Sequence, residues 1–143
     1  MKAKLIHDQV QKTYALVFDK EDEVISGLTK FAKDQALGAS HFTAIGAFSD
    51  VTLGYFDRRE KSYEKIPLHE QVEVLSLIGD IAINRNEPKI HAHVVVGRRD
   101  GSACGGHLMD ARVWPTLEVI LTESPRHLER KYDPESGLAL IDI

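Results

Sequence analysis

Apolar and polar residues alternate along much of the chain, and turn-forming residues separate the alternating runs. Successive side chains of a strand face opposite ways, so this period of two predicts half-buried β-strands. The predicted strands span 14–18, 41–48, 51–56, 63–66, 71–83, 90–96, 104–110, 116–122 and 138–143, and residues 1–7 are expected to pair as an edge strand. A tight turn is predicted at Ser49-Asp50, and Pro67 is predicted to end the strand before it.

One segment has a helical period instead. Its apolar positions recur at three- and four-residue spacing with charged residues between them: Val24, Ile25, Leu28, Phe31 and Ala32. This pattern predicts an amphipathic helix over about 22–36, with an acidic N-cap in 19–22 and an end at Gly38. A second, short helix is predicted within 125–133.

Together these elements predict a single domain, residues 1–143, of the α+β class. It would be a mainly antiparallel sheet of about seven or eight strands with one main amphipathic helix. Strands and helices do not alternate along the chain, which argues against a doubly wound parallel sheet.

Composition narrows the function without changing this fold. Hydrophobic residues make up 43% and charged residues 28% of the chain, which is typical of a soluble globular protein. No apolar run approaches the ~20 residues that span a bilayer, and the N-terminus is too polar for a signal peptide. The single cysteine, Cys104, excludes an internal disulfide. We therefore expect a cytoplasmic protein with no membrane association.

Charge argues against a free-standing nucleic-acid binder. The formal net charge is −4, and no run of Lys or Arg is longer than two residues. Neutralisation of phosphates dominates affinity for DNA, so such proteins usually carry a basic surface. We therefore expect no appreciable DNA binding by the chain alone at physiological salt.

The candidate chemistry lies in three histidines within one predicted hairpin. His91 and His93 are two apart on a strand, so their side chains share a face. His107 begins the next strand after an Asp-Gly turn, and Gly105-Gly106 would let backbones approach closely there. Three neutral imidazoles with an open fourth position suit Zn²⁺ or, less selectively, another divalent transition metal.

Alternatives to a metal site remain open at this point. The histidines could instead be hydrogen-bonded polar residues of a sheet or a subunit interface. Glu118, on a neighbouring strand, is a candidate carboxylate to orient an imidazole or act as a base. A thiol nucleophile built from Cys104 and His107 is disfavoured, because their odd separation on a strand points them to opposite faces.

Four short motifs in series resemble one known family, the plants-and-prokaryotes conserved (PPC) domain. Residues 43–56 are similar to its early strand pair, and 72–79 to its E-[IV]-L-S-L-x-G strand. His91-Ala92-His93 resembles its H-x-H motif, and 105–108 followed by 116–121 resembles its G-G-H-L … E-V-x-L signature. The resemblance covers roughly residues 12–124 in matching order.

The resemblance implies an α+β domain that assembles as a homotrimer and acts through protein partners. Plant members join this domain to an AT-hook and associate with DNA; this chain has no R-G-R-P core to enter a minor groove. At His91, His93 and His107 it matches the family's histidines, which implies that they cluster near a subunit boundary.

We therefore weigh three functions: a homotrimeric binding or regulatory domain, a metal-dependent hydrolase or lyase, and a purely structural oligomer. The first is preferred because no recognisable catalytic constellation accompanies the motif series, so an enzymatic role is disfavoured.

Overall fold

A computed structural model of the chain describes residues 2–8, 10–125 and 127–143. These residues form nine strands and one helix: β1 (Lys2–Asp8), β2 (Lys12–Phe18), α1 (Val24–Asp34), β3 (Ala39–Asp57), β4 (Ser62–Leu68), β5 (Val72–Asn84), β6 (Glu87–Gly97), β7 (Ala103–Glu123), β8 (Glu129–Asp133) and β9 (Leu138–Asp142). The α+β class with a mainly antiparallel sheet is confirmed.

All the strands belong to one sheet. Its main order is β1-β2-β7-β3-β5-β8-β9, with β4 on β3 and β6 on both β5 and β7. Strands β3, β5, β6 and β7 therefore form a closed circuit of hydrogen-bonded neighbours. Each strand pair is antiparallel except β5 with β8, which meet in parallel at Ile83 and Glu129. The predicted N-terminal strand is β1, which pairs with β2 at one edge of the sheet, as the sequence indicated.

Two long strands, β3 and β7, replace pairs of predicted shorter ones. The predicted turn at Ser49-Asp50 is wrong, since β3 continues through it for 19 residues and pairs with β7 on both sides. A register shift between Phe48 and Asp50 explains the misleading pattern. The irregularity lets Phe48 and Val51 both be fully buried although they are three residues apart.

Two further predictions are wrong for reasons of sheet position. Pro67 does not end its strand, because β4 pairs with β3 alone among the described strands and an edge strand tolerates a missing N–H. The described residues of the segment 125–133 do not form the predicted short helix. Residues 129–133 instead form strand β8, which makes a hairpin with β9. Between them Asp133 accepts hydrogen bonds from the Glu135 and Ser136 backbone N–H groups.

The helix lies where its period predicted, but its ends differ. Its N-cap is Glu23, whose carboxylate accepts from the backbone N–H groups of Ile25 at 3.1 Å and Ser26 at 2.6 Å. It ends at the cap Gln35, followed by Ala36 with a left-handed φ of 53° rather than by Gly38. The helix buries its apolar side on β6 and β7. No described helix is long and apolar enough to cross a bilayer.

The face of the sheet away from this core carries exposed apolar side chains. We call the following six residues, each between 37% and 61% exposed, the outer apolar face: Val17, Ile45, Leu75, Ile78, Val95 and Ile120. Cross-strand partners share a face, and the register places Ile120, Thr43, Ile78 and His93 in one row across four strands. The outer apolar face therefore runs up to the histidine-bearing strand.

Candidate functional site

Strand β6 presents His91 and His93 on the outer face of the sheet. The alternation in this strand is regular: Ile90, Ala92 and Val94 are buried, and the two histidines point the other way. A tight turn joins β5 to β6, with left-handed φ angles of 52° at Arg85 and 64° at Asn86. This turn fixes the register, so that His91 lies opposite Asp80 and His93 opposite Ile78.

The next hairpin brings His107 alongside. Gly101, with a φ of 82°, supplies the left-handed residue of the turn, and His93 pairs with His107 across β6 and β7. Two glycines allow the strands to close up here. A Cβ on Gly105 would lie 2.6 Å from the Val94 carbonyl oxygen, and one on Gly106 would lie 2.8 Å from the Gly54 carbonyl oxygen.

The structure brings the three imidazoles together. One ring nitrogen from each of His91, His93 and His107 lies within 4.8 Å of the others. The Nε2 atoms of His91 and His93 are 3.2 Å apart, and the three ring centroids are separated by 5.2, 5.3 and 5.5 Å. Since three donor atoms point into one space, the cluster has the chemistry of a transition-metal site.

The surroundings keep two of these rings neutral. Burial, with smaller contributions from the nearby His91, His93 and Lys89, lowers the pKa of His107 to about 4. Burial, with a smaller contribution from His91, also lowers the pKa of His93. Neutral imidazoles have the lone pair that a metal ligand needs. His107 Nδ1 is buried without a hydrogen-bond partner among the described residues, which is costly unless something else satisfies it.

A carboxylate stands behind His91, and it is Asp80. Its Oδ2 lies 3.6 Å from His91 Nδ1, and its Oδ1 accepts a hydrogen bond from Arg130. Burial alone would raise the pKa of Asp80, but its interactions with His91 and Arg130 outweigh burial and lower it. The carboxylate is therefore ionised and faces the ring nitrogen turned away from the cluster. Carboxylates in this position orient metal-binding histidines in proteins.

The structure does not bring Glu118 to the histidines. It lies eleven positions beyond His107 on β7, exposed, and pairs with Val17 and Ile45 within the outer apolar face. Cys104 is also apart from the cluster, because it packs against the hydrophobic core while His107 faces outward. The structure therefore places the three predicted histidines together, and the carboxylate nearest to them is Asp80 rather than Glu118.

A pocket opens directly beside the cluster. Its volume is about 210 Å³, and His91, His107 and Tyr63 form one side of it. The Tyr63 ring lies against His107 with centroids 4.6 Å apart. Its other side comes from the β8–β9 hairpin, through Arg130, Leu138 and Leu140. A small molecule in this pocket would touch two of the three histidines.

Comparison with known proteins identifies the family to which the chain belongs. Residues 6–125 match the model of one protein family, the Plants and Prokaryotes Conserved (PCC) domain, which is the family abbreviated PPC above. No curated protein matches the chain significantly.

Several solved structures share the fold over nearly the whole chain. A plant- and prokaryote-conserved protein from Pyrococcus horikoshii is 31% identical, with a TM-score of 0.86 over 99% of this chain and 95% of the other. A metal-containing protein from Archaeoglobus fulgidus is 33% identical, with a TM-score of 0.87 over 98% and 99%. A "putative dna binding protein" from Bacteroides thetaiotaomicron is 26% identical, with a TM-score of 0.88 over 98% and 96%.

Proposed function

Because the chain belongs to the Plants and Prokaryotes Conserved (PCC) domain family, we propose that it acts as a homotrimeric binding or regulatory domain. In this proposal His91, His93 and His107 hold a divalent transition metal, most simply Zn²⁺. The observation that carries the proposal is the meeting of three ring nitrogens within 4.8 Å on the exposed side of the sheet.

The donor set fits zinc. Three histidines leave one position of a tetrahedral ion open, and a carboxylate behind one histidine is a common accompaniment. Asp80 supplies that carboxylate. His107 Nδ1 has no hydrogen-bond partner among the described residues, which is consistent with a ring that binds a further ligand or a water molecule. The similar protein from Archaeoglobus fulgidus contains a metal. In such a site zinc would supply Lewis acidity and a site for an anionic or neutral oxygen ligand.

The outer apolar face supports the homotrimer. Soluble monomers rarely expose contiguous apolar patches larger than a few hundred Å², and larger ones mark interaction sites. Here Ile45, Leu75 and Ile78 are each more than half exposed on neighbouring strands. The face lies on hydrogen-bonded strands of one sheet, so it can pack against a rigid partner. We propose that two further copies of the chain cover it and that the histidine cluster lies at the border of that interface.

A DNA-associated role would operate through protein partners. The chain's net charge is −4, and a trimer carries three times that charge, which opposes the approach of phosphates. Gel-shift measurements at several salt concentrations would test this, with the expected result of no binding at physiological salt. Tight binding whose affinity falls steeply with salt would contradict it.

Elemental analysis of untagged protein tests the metal. We expect about one zinc or similar ion per chain, and loss of the metal in His91→Ala and His107→Ala. The matched control is His69→Ala, because His69 is an exposed histidine paired with Asp50 on another part of the sheet. No metal above background after zinc loading, or equal loss of metal in the control, would refute the proposal.

A second candidate function is metal-dependent hydrolysis or lyase chemistry. The observation that favours it is the pocket beside His91 and His107, since a purely structural metal site is usually closed. A purely structural oligomer would keep its fold and assembly with all three histidines replaced. Binding and turnover measured on the same zinc-loaded sample would separate a binding domain from an enzyme.

A further inference from the structure

The pocket beside the histidines joins an apolar wall to a positively charged end. We propose that it binds a small organic anion, a short-chain carboxylate, with its charged end beside Lys89, His91 and His107 and its tail against the β8–β9 hairpin. This inference rests on the proposed function in one respect, because it places the carboxylate next to the proposed metal.

The apolar wall comes from Leu138, Ala139 and Leu140 of β9, with Ile90 and Tyr63 nearby. This strand lies beyond residues 6–125, the part of the chain that the family's model matches. Leu140 is 45% exposed, so a hydrocarbon chain placed on it would remove apolar surface from water. The wall therefore favours a ligand with an apolar portion over a free inorganic anion.

The polar end of the pocket is short of acceptors. Arg130 lines it with a side chain that is only 6% exposed. Its terminal nitrogens donate to Asp80 and to the Ala139 carbonyl oxygen, but its Nε–H has no acceptor among the described residues. Because this N–H is itself buried, Arg130 acts on a ligand in the pocket through its positive charge rather than as a hydrogen-bond donor.

Charge selects an anion over a cation. Lys89 and Arg130 both line the pocket, and Asp80, the acidic neighbour of Arg130, balances only one of them. A divalent ion on the histidines would add further positive charge. An ammonium ligand would be repelled, whereas a carboxylate offers two oxygens to a site rich in donors.

The size of the pocket limits the ligand. Its volume of about 210 Å³ is below the roughly 300–1,000 Å³ of sites that enclose drug-sized ligands. A carboxylate with a tail of a few carbons is the class that fits both the volume and the length of the apolar wall.

Calorimetric titration with acetate, butyrate and hexanoate tests the inference on zinc-loaded and metal-free protein. We expect affinity to rise roughly two- to fourfold for each methylene that becomes buried, and hexanamide, which has no charge, to bind much more weakly than hexanoate. Lys89→Gln should weaken all three acids, with Lys131→Gln as the matched control on β8.

Two variants on neighbouring positions of β9 examine the wall. Leu140→Ala should weaken hexanoate roughly fivefold or more while leaving acetate within about twofold. Ile141→Ala, whose side chain does not line the pocket, should change neither. Both side chains are partly exposed, so the variants should stay folded, which melting curves would verify.

The outcomes separate this inference from the proposed function. The inference would be overturned if the protein took up zinc but bound no carboxylate. It would also be overturned if carboxylate affinity were independent of chain length and of Leu140. In both cases the metal site would still stand. Failure to take up zinc would overturn the proposed function. In that case the carboxylate pocket would still be supported if metal-free protein bound carboxylates with an affinity that depends on chain length, Lys89 and Leu140. Without such binding, both the inference and the proposed function would be overturned.

Discussion

Replacement of Asp80 by Asn should weaken zinc binding without removing any proposed ligand. The Asp80 carboxylate lies 3.6 Å from the ring nitrogen of His91 that faces away from the cluster. A neutral imidazole that binds a metal through Nε2 carries its proton on Nδ1, so the ionised carboxylate of Asp80 would favour that tautomer and hold the ring in place. Asp80 is about one-third exposed, at 32%, so water weakens this interaction.

Carboxylates that orient a metal-binding histidine contribute measurably to metal affinity in metalloproteins. Loss of one typically lowers metal affinity by about 10- to 100-fold, which corresponds to roughly 1.4–2.8 kcal/mol. We expect a decrease of this size for Asp80→Asn, measured by competition with a chromophoric zinc chelator at constant pH.

The same substitution also leaves Arg130 without its ionic partner, so stability must be measured separately. Arg130 is 6% exposed, and breaking a buried ion pair on one side costs roughly 3–5 kcal/mol. Solvent access to Asp80 places the expected loss near or below the lower end of that range. Arg130→Met is the control, because it destabilises the fold yet keeps the carboxylate beside His91.

The two effects can then be separated in folded protein. We expect Asp80→Asn to lose both zinc affinity and stability, and Arg130→Met to lose stability while its zinc affinity stays within about threefold of the native protein. If Asp80→Asn bound zinc as tightly as the native protein, Asp80 would not orient His91. Equal weakening by both variants would show a general structural effect instead.

Three further predictions concern the fold and the assembly. Glu123→Ala should lower the free energy of unfolding by about 2–4 kcal/mol in urea titrations. The reason is that the buried carboxylate accepts hydrogen bonds from two backbone N–H groups and one hydroxyl. Glu118 is exposed on the same strand, so Glu118→Ala should have little effect. Gly46→Ala should cost about 2 kcal/mol or more, or prevent folding, because φ is 151° and a Cβ would lie 2.3 Å from the Thr116 carbonyl oxygen; unchanged stability would contradict this. Ile78→Glu should convert the proposed trimer to monomers in light-scattering measurements, and a trimer that persists would exclude that face as the interface.

The histidine cluster was predictable because it depends on local rules. The shared face of His91 and His93 follows from the two-residue period of a strand, and the approach of His107 follows from a short Asp-Gly turn. Both need only the sequence between 91 and 107. Long-range pairing was not required to bring these rings together.

Asp80 was missed although a local signal existed. The predicted strands at 71–83 and 90–96 leave the connection between them unassigned, but Arg85 and Asn86 form a two-residue turn that makes 80 and 91 cross-strand partners. Read as a hairpin, the sequence would have placed this carboxylate beside His91. Glu118 was chosen instead because the order of strands in a sheet depends on tertiary packing, which one sequence does not show.

Other features depended on contacts between distant parts of the chain. The segment that forms β8 was predicted as a helix. What makes it a strand is its pairing with β9 and with one residue of β5, Ile83. Arg130 enters the site only through that strand. The pocket therefore could not be predicted, because one wall comes from a segment whose secondary structure is set by its neighbours.

The register links the proposed metal site to the proposed assembly. His93 and Ile78 are cross-strand partners, and partners across a strand pair share a face. A copy of the chain that covers Ile78 must therefore approach within one strand of His93. The pocket is lined by His91 and His107 and not by His93 or Ile78, so assembly can bury the border of the site while the pocket stays open to the β9 wall. This arrangement suits a domain that binds a small ligand at the edge of its own subunit interface better than it suits a closed structural metal site.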